Sequence, residues 1–321
     1  VPIPDRLPSG TRDVLPDEMR ELRALTDRLR GVFERAGYGE VYTPALEYER
    51  SPDGGLPHAV YRMFDDHGAV LILRSDMTVP IARLAGTRYA HAEPPLRFCY
   101  FAHCYRRVRP QRGQSRELLQ AGVELLGAPA PEGTAEALTV LCDALDAAGL
   151  QNYRVGLGDV TLYPALLGSH GVPAPDAEEI IQALADGDFV GVERALSTLA
   201  LTDEVRALLL AVPRMRGGPE ILRSADPGLH DAVMGMRAVH ALLRPATAER
   251  VIFDFGLVRS LGYYTGAVFQ VYDPAFGEPL GSGGRYDDLV ERFGRRMPAV
   301  GFALNVEAVH IALMGEERIR G

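Results

Sequence analysis

Tyr105-Arg-Arg-Val-Arg-Pro-Gln-Arg-Gly-Gln-Ser-Arg-Glu117 places five arginines within eleven residues, between two runs that read as long strands over 95–108 and 115–126. A guanidinium fork matches phosphate and carboxylate better than any other side chain, which makes this connection a candidate anion loop; the plain alternative is a solvated, charged hairpin tip. Side chains alternate along an extended chain, so Arg107, Arg109 and Gln111 share one face and Arg106 lies on the other. The returning strand carries Gln120 and Glu124 four residues apart, again on one face. A buried amide and carboxylate there need donors. An amino-acid ammonium or imidazole would supply them, and a rim Glu124 paired with an arginine is the other reading.

Outward from this pair the periodicities are regular. Met19, Leu22, Leu25, Leu29 and Phe33 recur at steps of three and four, which predicts a helix over 16–36 ended by Gly37 and Gly39, then a short strand over 40–44. The turn Asp65–Gly68 joins 61–64 to 69–74 as a hairpin, and Ser75 or Asp76 caps a helix running to about Ala85. A helix over 131–148 and a strand over 152–158 follow. Between 160 and 248 nearly everything reads as short helices punctuated by Pro and Gly. Strand patterns return over 250–255, 264–273 and 299–305, before a last helix from Val306 to Met314. The pattern predicts an α+β fold, with residues 1–159 and 249–321 forming one discontinuous domain and 160–248 a mainly helical insertion.

Composition excludes much chemistry. All 34 basic residues among the 321 are arginine. A chain without lysine forms no Schiff base and supplies no Walker-type lysine. The net charge of −9 disfavours nucleic acid as a general partner. No run approaches the ~18 apolar residues of a membrane span, and the N-terminus does not read as a secretion signal. Cys99, Cys104 and Cys142 form no CxxC pair, which predicts reduced thiols in a cytoplasmic protein. His58, His67, His91 and His103 show no metal-ligand spacing; His103 and Cys104 read as core-lining. No metal, cofactor or catalytic residue is expected. Tyr263 and Tyr264 alternate faces of a strand, one in the core and one lining a pocket, while the glycine cluster at 281–284 is a weak phosphate signal.

The order of these pieces resembles the core of the class II aminoacyl-tRNA synthetases, specifically histidyl-tRNA synthetase. Ser9-Gly-Thr-Arg-Asp-Val-Leu-Pro-Asp-Glu18 looks like the first motif, which forms the family's dimer interface. Arg109–Glu117 with Gln120 and Glu124 looks like the second; Arg259-Ser-Leu-Gly-Tyr-Tyr-Thr-Gly266 and Gly283-Gly-Arg-Tyr-Asp287 resemble the histidine-holding segments, and Pro298–Leu304 the third motif. The resemblance implies an antiparallel sheet flanked by helices, and a histidine pocket at Asp76, Thr78, Arg106, Gln120, Glu124, Arg259, Tyr263 and Tyr264. It also exposes departures on the ATP side. Val108 replaces a glutamate, Asn305 a glycine and Ala308 the arginine that holds the outer phosphates of ATP. The resemblance also implies an anticodon-binding domain after the core, which the sequence to Gly321 is not expected to contain. These departures, with Leu73-Arg-Ser-Asp-Met-Thr78, resemble the regulatory subunit of ATP phosphoribosyltransferase. The implied protein is non-catalytic and homodimeric, and assembles with a short-form ATP phosphoribosyltransferase catalytic subunit. Its implied effector is L-histidine, bound in the old pocket or at a subunit contact. The rival readings are a truncated or degenerate histidyl-tRNA synthetase, a tRNA-binding control module on the same core, and a paralogue for another amino acid.

Overall fold

Leu22, Leu25, Leu29, Val32 and Phe33 form one buried stripe along helix α1 (Pro16–Arg35), which opens on a proline with Asp17 and Glu18 in its first turn. The structure, a computed structural model, describes residues 7–49, 60–107, 115–223, 226–257 and 262–320. After α1 come β1 (Gly39–Glu40), β2 (Leu46–Tyr48), β3 (Arg62–Phe64), β4 (Val70–Leu73), α2 (Thr78–Thr87), β5 (Leu96–Tyr105), β6 (Glu117–Leu126), α3 (Glu132–Ala148) and β7 (Arg154–Asp159). The middle of the chain supplies α4 (Leu162–Ser169), α5 (Ala174–Ala185), α6 (Phe189–Ser197), α7 (Asp203–Ala211), β8 (Arg216–Gly217), α8 (His230–Leu242) and α9 (Pro245–Ala248). The chain closes with β9 (Val251–Asp254), β10 (Ala267–Asp273), β11 (Phe276–Arg285), β12 (Ala299–Asn305) and α10 (Val306–Arg320).

Nine strands form one sheet in the order β1-β5-β6-β12-β11-β10-β7-β9-β8, antiparallel except at β1–β5 and β7–β9. The fold is α+β, as the patterning predicts. A separate three-stranded sheet, β2-β4-β3, holds the expected hairpin, whose turn is fixed by the Asp65 carboxylate accepting from the amides of His67 and Ala69. Alternation along β6 divides the core. Ala121, Val123 and Leu125 join α1, α3 and α10 on one face. Met77, Ile81 and Ala85 cover the other together with Phe98, Tyr100 and Tyr286.

Several elements differ from the sequence reading. The strand expected over 40–44 is only two residues long, and β2 appears beyond Pro44. β11 occupies the stretch read as a glycine cluster. The last helix continues past Met314 to Arg320. The helical middle also contributes a strand, since Arg216 and Gly217 of β8 pair with Asp254 and Phe253. His103 is exposed: Cys104 points into the core from β5, and its neighbour therefore takes the opposite, uncovered face.

Candidate functional site

The buried Arg74 sets the geometry of the site. Its Nε donates to the His103 carbonyl at 2.8 Å and its Nη1 to the Thr43 carbonyl at 2.6 Å, while its own carbonyl accepts from the Tyr105 amide. This pins residues 74–76 beside the end of β5. The Asp76 carboxylate then accepts from the Val79 amide at 3.1 Å, in the first turn of α2. Burial raises the Asp76 pKa, opposed by that amide and by the charge of Arg106, whose Nε lies 3.4 Å from the Ser75 carbonyl.

α2 carries Thr78 against β6. Thr78 Oγ1 donates to Glu124 Oε1 at 2.8 Å, and the Tyr286 hydroxyl donates to Glu124 Oε2. Glu124 is 1% exposed, so it is no rim residue, and its two hydrogen-bond donors here are hydroxyls rather than an arginine. Burial pushes its carboxyl up to about 8; the two hydroxyls pull it down and Asp76 adds to the rise. Gln120, four residues back on the same face of β6, accepts from Cys104 Sγ at 3.1 Å. Burial and the nearby Asp76 push that thiol up to about 12.

Tyr263 and Tyr264 do not alternate across a strand, because β10 begins only at Ala267. Their rings lie 5.0 Å apart on the same side of the sheet, and Tyr263 meets Tyr286 edge-on at 6.0 Å. Two glycines make room for this crowding. A Cβ at Gly301 would overlap the Glu124 carboxylate, and one at Gly284 would lie 2.8 Å from the Tyr264 ring.

Asp76, Thr78, Arg106, Gln120, Glu124, Tyr263 and Tyr264 thus gather where α2 crosses β5, β6, β12 and β11. Arg259, Val108 and the loop residues Arg109 and Gln111 lie outside the described residues. Asn305 and Ala308 serve other ends. Asn305 Oδ1 accepts from the amides of Glu307 and Ala308 at 3.1 and 3.3 Å, capping α10, and Ala308 is 2% exposed in the core on the opposite face. Tyr286 escaped the sequence reading. Its signal was the run Gly283-Gly-Arg-Tyr-Asp287, in which the buried Arg285 binds Thr134, the Ala128 carbonyl and Asp287 and so fixes where the tyrosine leaves β11. Among the described residues no group of three or more His, Cys, Asp or Glu is placed to hold a metal. The site offers hydroxyls and carboxyls around an aromatic wall, a chemistry of binding.

A family model described as histidyl-tRNA synthetase matches residues 10–309. An ATP phosphoribosyltransferase regulatory subunit of Desulforamulus reducens is 40% identical, covering 98% of this chain and 80% of the relative. The protein of the same name from Moorella thermoacetica is 38% identical, over 97% and 82%. The chain belongs to the ATP phosphoribosyltransferase regulatory subunits. This family is a branch of the histidyl-tRNA synthetase-like proteins. A crystal structure of an ATP phosphoribosyltransferase regulatory subunit/histidyl-tRNA synthetase from Bacillus halodurans superposes with a TM-score of 0.89 at 30% identity, covering 97% of this chain and 84% of that one. Histidyl-tRNA synthetase from Nostoc shares the fold, with a TM-score of 0.79 at 20% identity over 98% and 77% of the two chains. Among the described residues no helix is long and apolar enough to cross a membrane.

Proposed function

We propose that this chain is the subunit without which a short-form ATP phosphoribosyltransferase catalytic subunit is inactive, and that it carries histidine feedback on the first step of histidine biosynthesis. The observation that carries the reading is the contrast between the two halves of the synthetase-like site. The amino-acid side is a buried cluster of Asp76, Thr78, Gln120, Glu124, Tyr263 and Tyr264. On the phosphate side Asn305 caps a helix and Ala308 is a methyl group in the core. Adenylate formation depends on cationic groups fixed around the phosphates, and loss of one such group typically lowers the rate by about 10²–10³. Histidine then binds the cluster as an effector rather than as a substrate. The sensing is allosteric: histidine and the partner favour different states of the chain.

A homodimer through the N-terminal part follows from the same reading. Tyr42, Tyr48 and Phe64 are 84%, 62% and 74% exposed, and Leu15 on the approach to α1 is exposed as well. Residues 160–248 act as a helical insertion in one discontinuous domain, and the −9 charge argues against tRNA as a partner. The chain works in the cytoplasm, with no cofactor of its own.

The test adds the chain to a short-form catalytic subunit and follows phosphoribosyl-ATP formation with and without histidine. Strong activation reversed by histidine is the expected result. No activation, and no stable complex on a sizing column, would sink the proposal; ATP–pyrophosphate exchange with histidine would then test for a degenerate synthetase.

A further inference from the structure

At the other end of the large sheet from the buried cluster, the turn Pro219–Arg223 packs against α8 and β9 and leaves a cavity of about 450 Å³. Leu222, Glu220, Arg223, Arg237 and His240 line it. Arg237 and His240 stand one turn apart on one face of α8. The His240 ring is held against the buried Phe253, with centroids 5.4 Å apart. Arg223 reaches the cavity from the opposite wall.

Neither guanidinium has a hydrogen-bond or ion-pair partner among the described residues. On α8 the positions three and four residues from Arg237 are Val233, Met234, His240 and Ala241, with no acid to pair it. Glu220 is three residues from Arg223, but it forms no ion pair with either arginine, and its Oε1 accepts from the Gly218 amide at 2.6 Å. Arg223 and Arg237 line one concavity with Glu220 as the single acidic residue among its lining, although in a chain of net charge −9 carboxylates to neutralise them are abundant. The pair is left open instead.

We propose that this cavity is a binding site for a small multivalent anion, a phosphate or a phosphomonoester, held by the forks of Arg223 and Arg237 with His240 as a third donor. Its volume lies in the range of small-molecule sites, and two planar forks supply the several directed donors that a tetrahedral oxyanion accepts. The site is separate from the histidine cluster and does not depend on that assignment.

The experiment is calorimetric titration of the full chain, in chloride buffer at low ionic strength, with inorganic phosphate, pyrophosphate and ribose 5-phosphate, with sulfate as a comparison. Saturable binding at one site per chain is expected. It should weaken tenfold or more in Arg223→Gln and in Arg237→Gln, the usual loss on removing a charge-assisted hydrogen-bonding group. Tighter binding of ribose 5-phosphate than of the inorganic anions would make a phosphomonoester the ligand, and the reverse order free phosphate. Both positions are exposed, so melting curves of the variants should match the parent. No saturable binding, or binding that survives both substitutions, would each overturn the proposal.

Discussion

Replacing Glu124 by glutamine should make the protein more stable at neutral and alkaline pH. In the fold this carboxyl sits at about 8 rather than at its ordinary 4.5, chiefly because burial penalises its charged form. A folded-state pKa above the unfolded value means that stability is fully present below pH 4.5 and is lost as pH rises toward 8. The full loss corresponds to about 5 kcal/mol, and at pH 7 it already amounts to about 3 kcal/mol. Glutamine has the same shape and stays neutral. Its amide replaces the protonated oxygen as donor, with Thr78 or Tyr286 turning its hydroxyl to accept. Urea unfolding of both proteins from pH 5 to 9 reads the difference. The parent should lose stability across this window relative to Glu124→Gln, with the gap opening upward from pH 5 and levelling above 8. Asp76 also titrates upward in the fold and its charge couples to that of Glu124, so the difference between the curves reports the Glu124 charge together with its effect on Asp76. Parallel curves, or a variant less stable at pH 8, would refute the burial argument.

Three further outcomes follow from the packing. Gly301→Ala drives a methyl into the Glu124 carboxylate and should lower stability by about 1–3 kcal/mol or prevent folding, read by urea melts or soluble yield. Cys99, Cys104 and Cys142 are buried with thiols pushed up to about 12, so a thiol reagent should label none of them in the native protein and all three in denaturant; stoichiometric native labelling would contradict the core assignment. Among the described residues Asp273 Oδ2 is a buried atom with no geometric hydrogen-bond partner, and the carboxyl is raised by burial and by the side-chain interaction with the neighbouring acid Glu316. Asp273→Asn should therefore gain stability over the parent as pH rises above the ordinary aspartate range, measured by the same melts.

What the sequence discloses depends on whether a residue's neighbour lies on its own element. The stripe from Leu22 to Phe33 and the shared face of Gln120 and Glu124 follow from spacing alone, and the structure has both. The donors to Glu124 do not, because Thr78 comes from α2 and Tyr286 from the chain just beyond β11. β11 itself is hidden: Phe276-Gly-Glu-Pro-Leu-Gly-Ser-Gly-Gly-Arg285 has almost no β-branched or aromatic content, and its small residues answer to strands packed on either side. Tyr263 and Tyr264 misled for a related reason. Alternation holds only along a strand, and this segment turns before β10 begins, so both rings fall on one side. The arginine-rich connection at 108–114 stays a reading of the sequence.

The parallel pairing of β7 with β9 also bears on the order of assembly during synthesis. Val155 finds its partner only at Val251, after every helix from α4 to α9 has been made. Until then the outer edge of β7 offers unpaired backbone groups, the kind of surface on which nascent chains join one another. The late closure adds long-range loop entropy to the folding barrier, as do the still later pairings of β7 with β10 and of β6 with β12, so this edge should contribute to slow refolding and to aggregation of the isolated chain.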